Sequence, residues 1–277
     1  MEERSRKWEI IFVISLTLVL IGLVAVCIYF YKMYTSGNEY DDLKKKVTTS
    51  SQITYTGNPS DNDSPDAPLD NIAPETVKKN NGINFTELWK INKDLYAWIK
   101  VPNTMIDYPV AQYLGDDDTY YLQHNMYKES AFAGCIYTEK ANRQDFSDRN
   151  TVLYGHNMQN GSMFRGLHEF QDKSFFDKNP YIYIYTPERT LTYEIFSAYA
   201  YDDRHLLSSF NYEDDKVWKE YLDYARKPVN SAIGYNSRNI DVTTSDRIIT
   251  LSTCLGSSGS LRYLVQGVLI KDEPAKS

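Results

Sequence analysis

The sequence predicts a mostly β protein: a closed barrel of eight short strands with helices added around it, behind a single N-terminal transmembrane helix. Three observations lead there. They are a series of short runs rich in β-branched and aromatic residues, one late stretch with helical apolar spacing, and a long uncharged apolar run near the N-terminus.

The apolar run comes first. No side chain from Ile10 to Tyr31 is charged, and about 22 residues at 1.5 Å each cross a hydrocarbon core about 30 Å thick. Arg4, Arg6 and Lys7 precede it and only Lys32 follows closely. The positive-inside rule therefore predicts a cytoplasmic tail at 1–9, a single-pass anchor at 10–31 and an extracellular remainder. Lys44, Lys45 and Lys46, slightly further out, keep that bias modest. A cleaved signal peptide is the alternative, but the run is long and no clear small-x-small cleavage site precedes the polar region. Cys27 follows Val26 rather than the Gly or Ala expected before a lipoprotein cysteine, so it reads as an ordinary residue of the membrane helix.

Residues 32–83 read as an extracellular polar linker. Glu39 to Lys46 is charged and extends the helix briefly, whereas Val47 to Asn81 is Ser, Thr, Asn, Asp and Pro with few large apolar side chains. Such a segment buries too little surface to offset its ordering entropy and is expected to be a flexible tether. The folded domain is expected over 84–277, opening on a helix with Asn84 at its N-cap, Glu87 three positions on, and Phe85, Leu88 and Trp89 as its apolar face.

The predicted strands are Tyr96 to Val101, Ile106 to Gln112, Ala133 to Thr138, Thr151 to Gly155, Tyr181 to Thr186, Leu191 to Tyr201, Arg247 to Thr253 and Tyr263 to Lys271. In Tyr181-Ile182-Tyr183-Ile184-Tyr185 the alternation suits a strand with two different faces, and Pro187-Glu188-Arg189 makes a hairpin to the next strand. Glu213 to Arg226 carries Val217, Trp218, Tyr221, Leu222 and Ala225 at helical spacing, and Pro228 stops it. This helix is inserted ahead of the strand that ends in Cys254.

A net charge of −7 and the lack of a basic stripe exclude nucleic acid as a natural partner. Three cysteines, one of them in the membrane run, cannot build a disulfide framework, although Cys135 and Cys254 could form one bridge. Cys135 lies in the apolar run Ala133-Gly134-Cys135-Ile136-Tyr137, where a cysteine is usually a small buried hydrophobe. The four histidines have no paired metal-ligand spacing, so neither a metal nor a cofactor is expected. Gly256-Ser257-Ser258-Gly259 lacks the Gly-Lys-Ser/Thr ending of a phosphate loop.

Cys254 is different. The buried-type strand Ile248 to Thr253 delivers it to a Gly-Ser loop, and Arg262 opens the next strand eight positions later. Adjacent strands would set the thiol beside a guanidinium, the positive neighbourhood a thiolate needs at neutral pH. A second strand end, Thr151-Val152-Leu153-Tyr154-Gly155, presents His156. Nucleophile and base are commonly remote in sequence and adjacent in space. His124 competes, since Gln123-His124-Asn125-Met126 contains the same His-Asn-Met triplet, but no strand leads into it. His168 and His205 lie in polar surroundings and read as surface residues.

Leu251-Ser252-Thr253-Cys254, Arg262-Tyr263 and Tyr154-Gly155-His156-Asn157-Met158 resemble the cysteine, arginine and histidine motifs of sortases. The likeness covers most of the chain from about Asn84. Asp94-Leu95-Tyr96-Ala97-Trp98-Ile99, Ile106-Asp107-Tyr108-Pro109-Val110, Met163-Phe164 and the inserted helix resemble class B in particular. The resemblance implies a sortase-type barrel and a transpeptidase with Cys254 as nucleophile, His156 as proton-transfer partner and Arg262 as electrostatic stabiliser. It implies as partners secreted proteins with a C-terminal sorting signal, cleaved after Thr, and an amine of the cell wall or of a pilin. Ser252, two positions from Cys254 on the same strand face, is expected to line the substrate groove. Leu122 is expected on the opposite wall by resemblance to class B. The alternatives are another cysteine acyl-transfer enzyme or protease, and a non-catalytic surface-binding module. An L,D-transpeptidase would place a histidine immediately before the nucleophile, where Leu251-Ser252-Thr253 stands here; a papain-like enzyme would reverse the order of cysteine and histidine.

Overall fold

A computed structural model of the chain describes residues 2–48, 82–228, 234–256 and 259–275; the expected tether over 47–81 falls almost wholly outside them. Helix α1 runs from Glu2 to Val47. Its stretch Ile10–Tyr31, with a mean hydropathy of 3.1, is long and apolar enough to cross a membrane and is not covered by the other described residues. The helix does not stop there. Tyr40, Leu43 and Val47, spaced to share one helical face, are buried in the main hydrophobic core. The Asn84 N–H then donates to the Val47 carbonyl at 2.8 Å. The folded unit therefore begins before Asn84, the start expected from the sequence.

Helix α2 (Phe85–Ile91) is capped as its sequence predicts, the Asn84 side chain accepting the Glu87 N–H at 3.2 Å. The strands come next: β1 (Leu95–Lys100), β2 (Asp107–Ala111), β3 (Ile136–Tyr137), β4 (Asn150–Tyr154), β5 (Tyr181–Tyr185), β6 (Arg189–Asp202), β7 (Asn236–Ser237), β8 (Ile248–Cys254) and β9 (Leu261–Pro274). Their order is β5-β1-β2-β3-β4-β8-β9-β6, and pairing of β5 with β6 closes an eight-stranded barrel; β7 adds a two-residue rung to β6. The run expected from Ala133 to Thr138 is a strand only at Ile136 and Tyr137, because Gly134 takes a left-handed φ of 58° just before it.

Two pairings shape one rim of the barrel. β4 runs parallel to β8, with Tyr154 opposite Ser252, so both strands end at that rim. β9 runs antiparallel to β8, with Arg262 opposite Cys254. Trp98 and Tyr193 are both without exposure in the main hydrophobic core. Helices α3 (Lys173–Lys178) and α4 (Leu206–Ser209) are short. The amphipathic α5 (Asp215–Arg226) is capped by Asp214, which accepts the N–H groups of Lys216 and Val217. Its Trp218, Tyr221 and Leu222 pack outside the barrel against Val152, Phe196 and Leu264 in a second core.

Candidate active site

The strand pattern alone carries three chemically active side chains to one rim. Cys254 ends β8, Arg262 faces it across the antiparallel ladder, and His156 lies two residues past the end of the parallel β4. All three line one cavity of about 240 Å³, together with Ser252, Leu122 and Glu139.

Short bonds lace the two strand ends together. The Gly155 N–H donates to the Ser252 carbonyl at 3.2 Å, the Thr253 hydroxyl to the Gly155 carbonyl at 2.8 Å, and the Asn157 amide to the Cys254 carbonyl at 3.1 Å. A glycine is required before the histidine. A Cβ at Gly155 would stand 2.5 Å from Ile136 Cδ1 and 2.8 Å from the Phe164 ring, closer than real Cβ contacts.

His156 is half-buried, and its Nε2 bonds the Leu122 carbonyl at 2.8 Å. A carbonyl only accepts, so Nε2 carries the proton and Nδ1 is left for exchange with a reacting group. The Phe132 ring stacks on the imidazole at 5.7 Å and 15°. Cys254 is half-buried and forms no disulfide. The Arg262 Nη1 donates to the carbonyls of Gly259 and Leu261 at 2.6 and 3.3 Å. The guanidinium has five donors, so others remain for a ligand in the cavity.

Ser252 is buried in β8 and Leu122 closes a short 3₁₀ turn, Tyr120–Leu122; both line the cavity, Leu122 also supplying the carbonyl that holds His156. His124, the rival histidine, stacks on Tyr120 at 3.8 Å and bonds the Tyr120 carbonyl at 2.7 Å, outside the cavity lining.

Two histidines that read as surface residues in the sequence belong to the neighbourhood of Cys254. His168 is half-buried. It stacks on Tyr263, its Nε2 bonds the Cys254 carbonyl at 3.2 Å, and burial holds its pKa below the usual imidazole value. His205 lines the cavity and bonds the buried carboxylate of Glu139 at 2.8 Å. Burial raises the Glu139 pKa, and the His205 bond partly offsets that rise. Neither contact has a local sequence signal, because each depends on barrel closure. The buried docking of α1 does have one, the apolar spacing of Tyr40, Leu43 and Val47.

Comparison with known proteins agrees with this geometry. The family model of the sortase domain matches residues 99–270. Sortase B of Listeria monocytogenes is 36% identical over 188 residues, covering 66% of this chain and 73% of that protein. Sortase B of Staphylococcus aureus is 32% identical over 191 residues, covering 68% and 75%. The crystal structure of Clostridium perfringens sortase B superposes with a TM-score of 0.59 at 36% identity, covering 68% of this chain and all of that one. A closed barrel that brings a strand-end cysteine to a histidine and an arginine, in a chain this similar to three such proteins, belongs to the sortase family of cysteine transpeptidases, in its class B.

Proposed function

We propose that this transpeptidase works at the outer face of a cell membrane, cleaving a C-terminal sorting motif of secreted proteins after Thr and joining the product to an amine of the cell wall or of a pilin. In this reading α1 is the anchor, with residues 1–9 cytoplasmic and the barrel outside; the cluster Arg4, Arg6 and Lys7 supports that orientation.

The Cys254 thiolate attacks the threonine carbonyl carbon, and the oxygen takes the negative charge of the tetrahedral intermediate. Arg262 donates to that oxygen or to neighbouring substrate carbonyls. As the C–N bond breaks, the His156 imidazolium gives its Nδ1 proton to the leaving amine, and a thioester remains on Cys254. The incoming amine attacks the thioester and passes a proton to His156. The thiolate leaves, and a new amide is made. Ser252 and Leu122 line the groove for the motif.

The convergence of Cys254, His156 and Arg262 at one cavity carries this reading. The test uses the full chain in detergent with a library of quenched pentapeptides, followed by mass spectrometry with and without added amines. Cleavage should require Cys254, and ligation should require the amine. Hydrolysis without ligation under every amine tried would overturn the transfer assignment.

A further inference from the structure

The membrane-proximal end of α1 reaches the candidate active site through Tyr40. We infer that Tyr40 is a positioning residue for His156, so that the juxtamembrane helix is part of the catalytic scaffold and not only a stalk. The inference rests on the reading of His156 as the proton-transfer group.

Tyr40 is buried, and it makes two contacts that lead to His156 from opposite sides. Its hydroxyl donates to the Gly134 carbonyl at 2.6 Å. Gly134 is pressed so closely against the Tyr120–Leu122 turn that a Cβ there would stand 2.5 Å from the Tyr121 oxygen and 2.7 Å from the Leu122 oxygen. The next residue ties the same two segments, the Cys135 N–H donating to the Tyr121 carbonyl at 2.8 Å. The Leu122 carbonyl is the partner of His156 Nε2, and Phe132, two residues before Gly134, stacks on the imidazole. The hydroxyl arm thus holds two tied segments, each of which supplies one ring contact of the histidine.

The ring arm holds its backbone. Tyr40 packs edge-on against Tyr108 at 5.3 Å and 84°. The Tyr108 hydroxyl accepts the Met163 N–H at 3.1 Å. Met163 bridges to Asn157, and the Phe164 N–H donates to the His156 carbonyl at 2.9 Å. Met163 itself has a φ of 56°, a conformation a methionine adopts only where its surroundings enforce it. Imidazole orientation matters because proton transfer depends steeply on the placement of Nδ1.

The experiment compares the full chain in detergent micelles with Tyr40→Phe, which keeps the ring and removes only the hydroxyl, and with Tyr40→Leu, which removes both arms. His156→Ala is the reference. Tyr40→Phe should lower kcat about tenfold while KM stays within about twofold, the signature of a contact felt in the transition state. The Nε2–H resonance of His156, followed with imidazole-labelled protein, should broaden through faster exchange. Tyr40→Leu should lose more on both readouts. Wild-type kcat and an unchanged His156 signal in Tyr40→Phe, with His156→Ala inactive, would overturn this inference alone. A loss of rate that follows only the folded fraction as temperature is varied, with the signal unchanged, would also overturn it and leave Tyr40 a packing residue. An active His156→Ala enzyme would remove the underlying reading of His156.

Discussion

The chain holds two cysteines outside the N-terminal apolar run, and the contrast between them shows how position on a barrel decides what a thiol can do. Cys135 precedes β3 and is buried among core side chains, its Sγ 3.9 Å from the Pro109 carbonyl. Burial pushes its thiol pKa up to about 12, so almost none is thiolate at neutral pH. Cys254 stands at the end of β8, half-buried, opposite Arg262 and in the cavity that also holds His156. The residue types are the same. What differs is depth and company, and both come from where each strand stops.

The sharpest way to break that contrast is to remove each sulfur in turn, in a Cys27→Ala background. Cys254→Ala should lower kcat/KM by at least about 10³-fold, because the covalent step is lost. Cys135→Ala should change activity less than about threefold and cost about 1 kcal/mol of stability from the small cavity it leaves. Iodoacetamide should label Cys254 alone in the folded protein. Loss of activity at Cys135 with labelling of that thiol would reverse the assignment.

The histidine side of the comparison comes next. Gly155→Ala forces a methyl group against Ile136 and Phe164, so the segment leading to His156 must shift. A displacement of that kind should cost about 10²-fold in kcat, with a lowered melting temperature from overpacking. An unchanged kcat would mean that the close approach at Gly155 does not set the histidine. Arg262→Lys keeps the charge and loses the forked donors, and kcat/KM should fall about tenfold or more. Full activity in the lysine variant would reduce Arg262 to a strand-end charge.

These residues are legible in the sequence because continuous strands announce their own ends. Ile248 to Thr253 is buried throughout, and the strand that begins at Asn150 is buried as far as Leu153, so Cys254 and Tyr154, the residues that follow, are the first of their strands to reach the rim. Parallel pairing of β4 with β8 then sets those two rims together, a long-range fact no local pattern carries. The same limit hides two of the histidines. His168 meets the Cys254 carbonyl only because the 3₁₀ helix Phe164–Gln171 packs against β8, and His205 meets Glu139 across 66 positions of sequence. Tyr40 sits in a charged stretch that resembles the beginning of a tether, and the apolar spacing of Tyr40, Leu43 and Val47 becomes a signal of docking only when the helix is carried past the apolar run.

The smallest expected effect concerns that Glu139–His205 pair, at the same cavity as Cys254. Burial is the main influence on Glu139 and raises its pKa; the bond from His205 and its charge act the other way, and Asp118 adds to the rise. A carboxyl whose folded pKa exceeds its unfolded value of about 4.3 binds protons more readily in the folded state. Its contribution to stability is therefore present at and below that pH and is lost as pH rises through the folded value. Glu139→Gln keeps the shape and cannot titrate. In urea denaturation between pH 4 and pH 7, wild type should lose stability relative to Glu139→Gln as pH rises, the loss being reduced because the His205 bond offsets part of the burial penalty. The slope should steepen when Glu139 is kept and His205→Ala removes that offset. A difference that grows in the opposite direction, with wild type gaining as pH rises, would mean that His205 and not burial governs the carboxylate, and the pair would then be a charged bridge in the cavity wall.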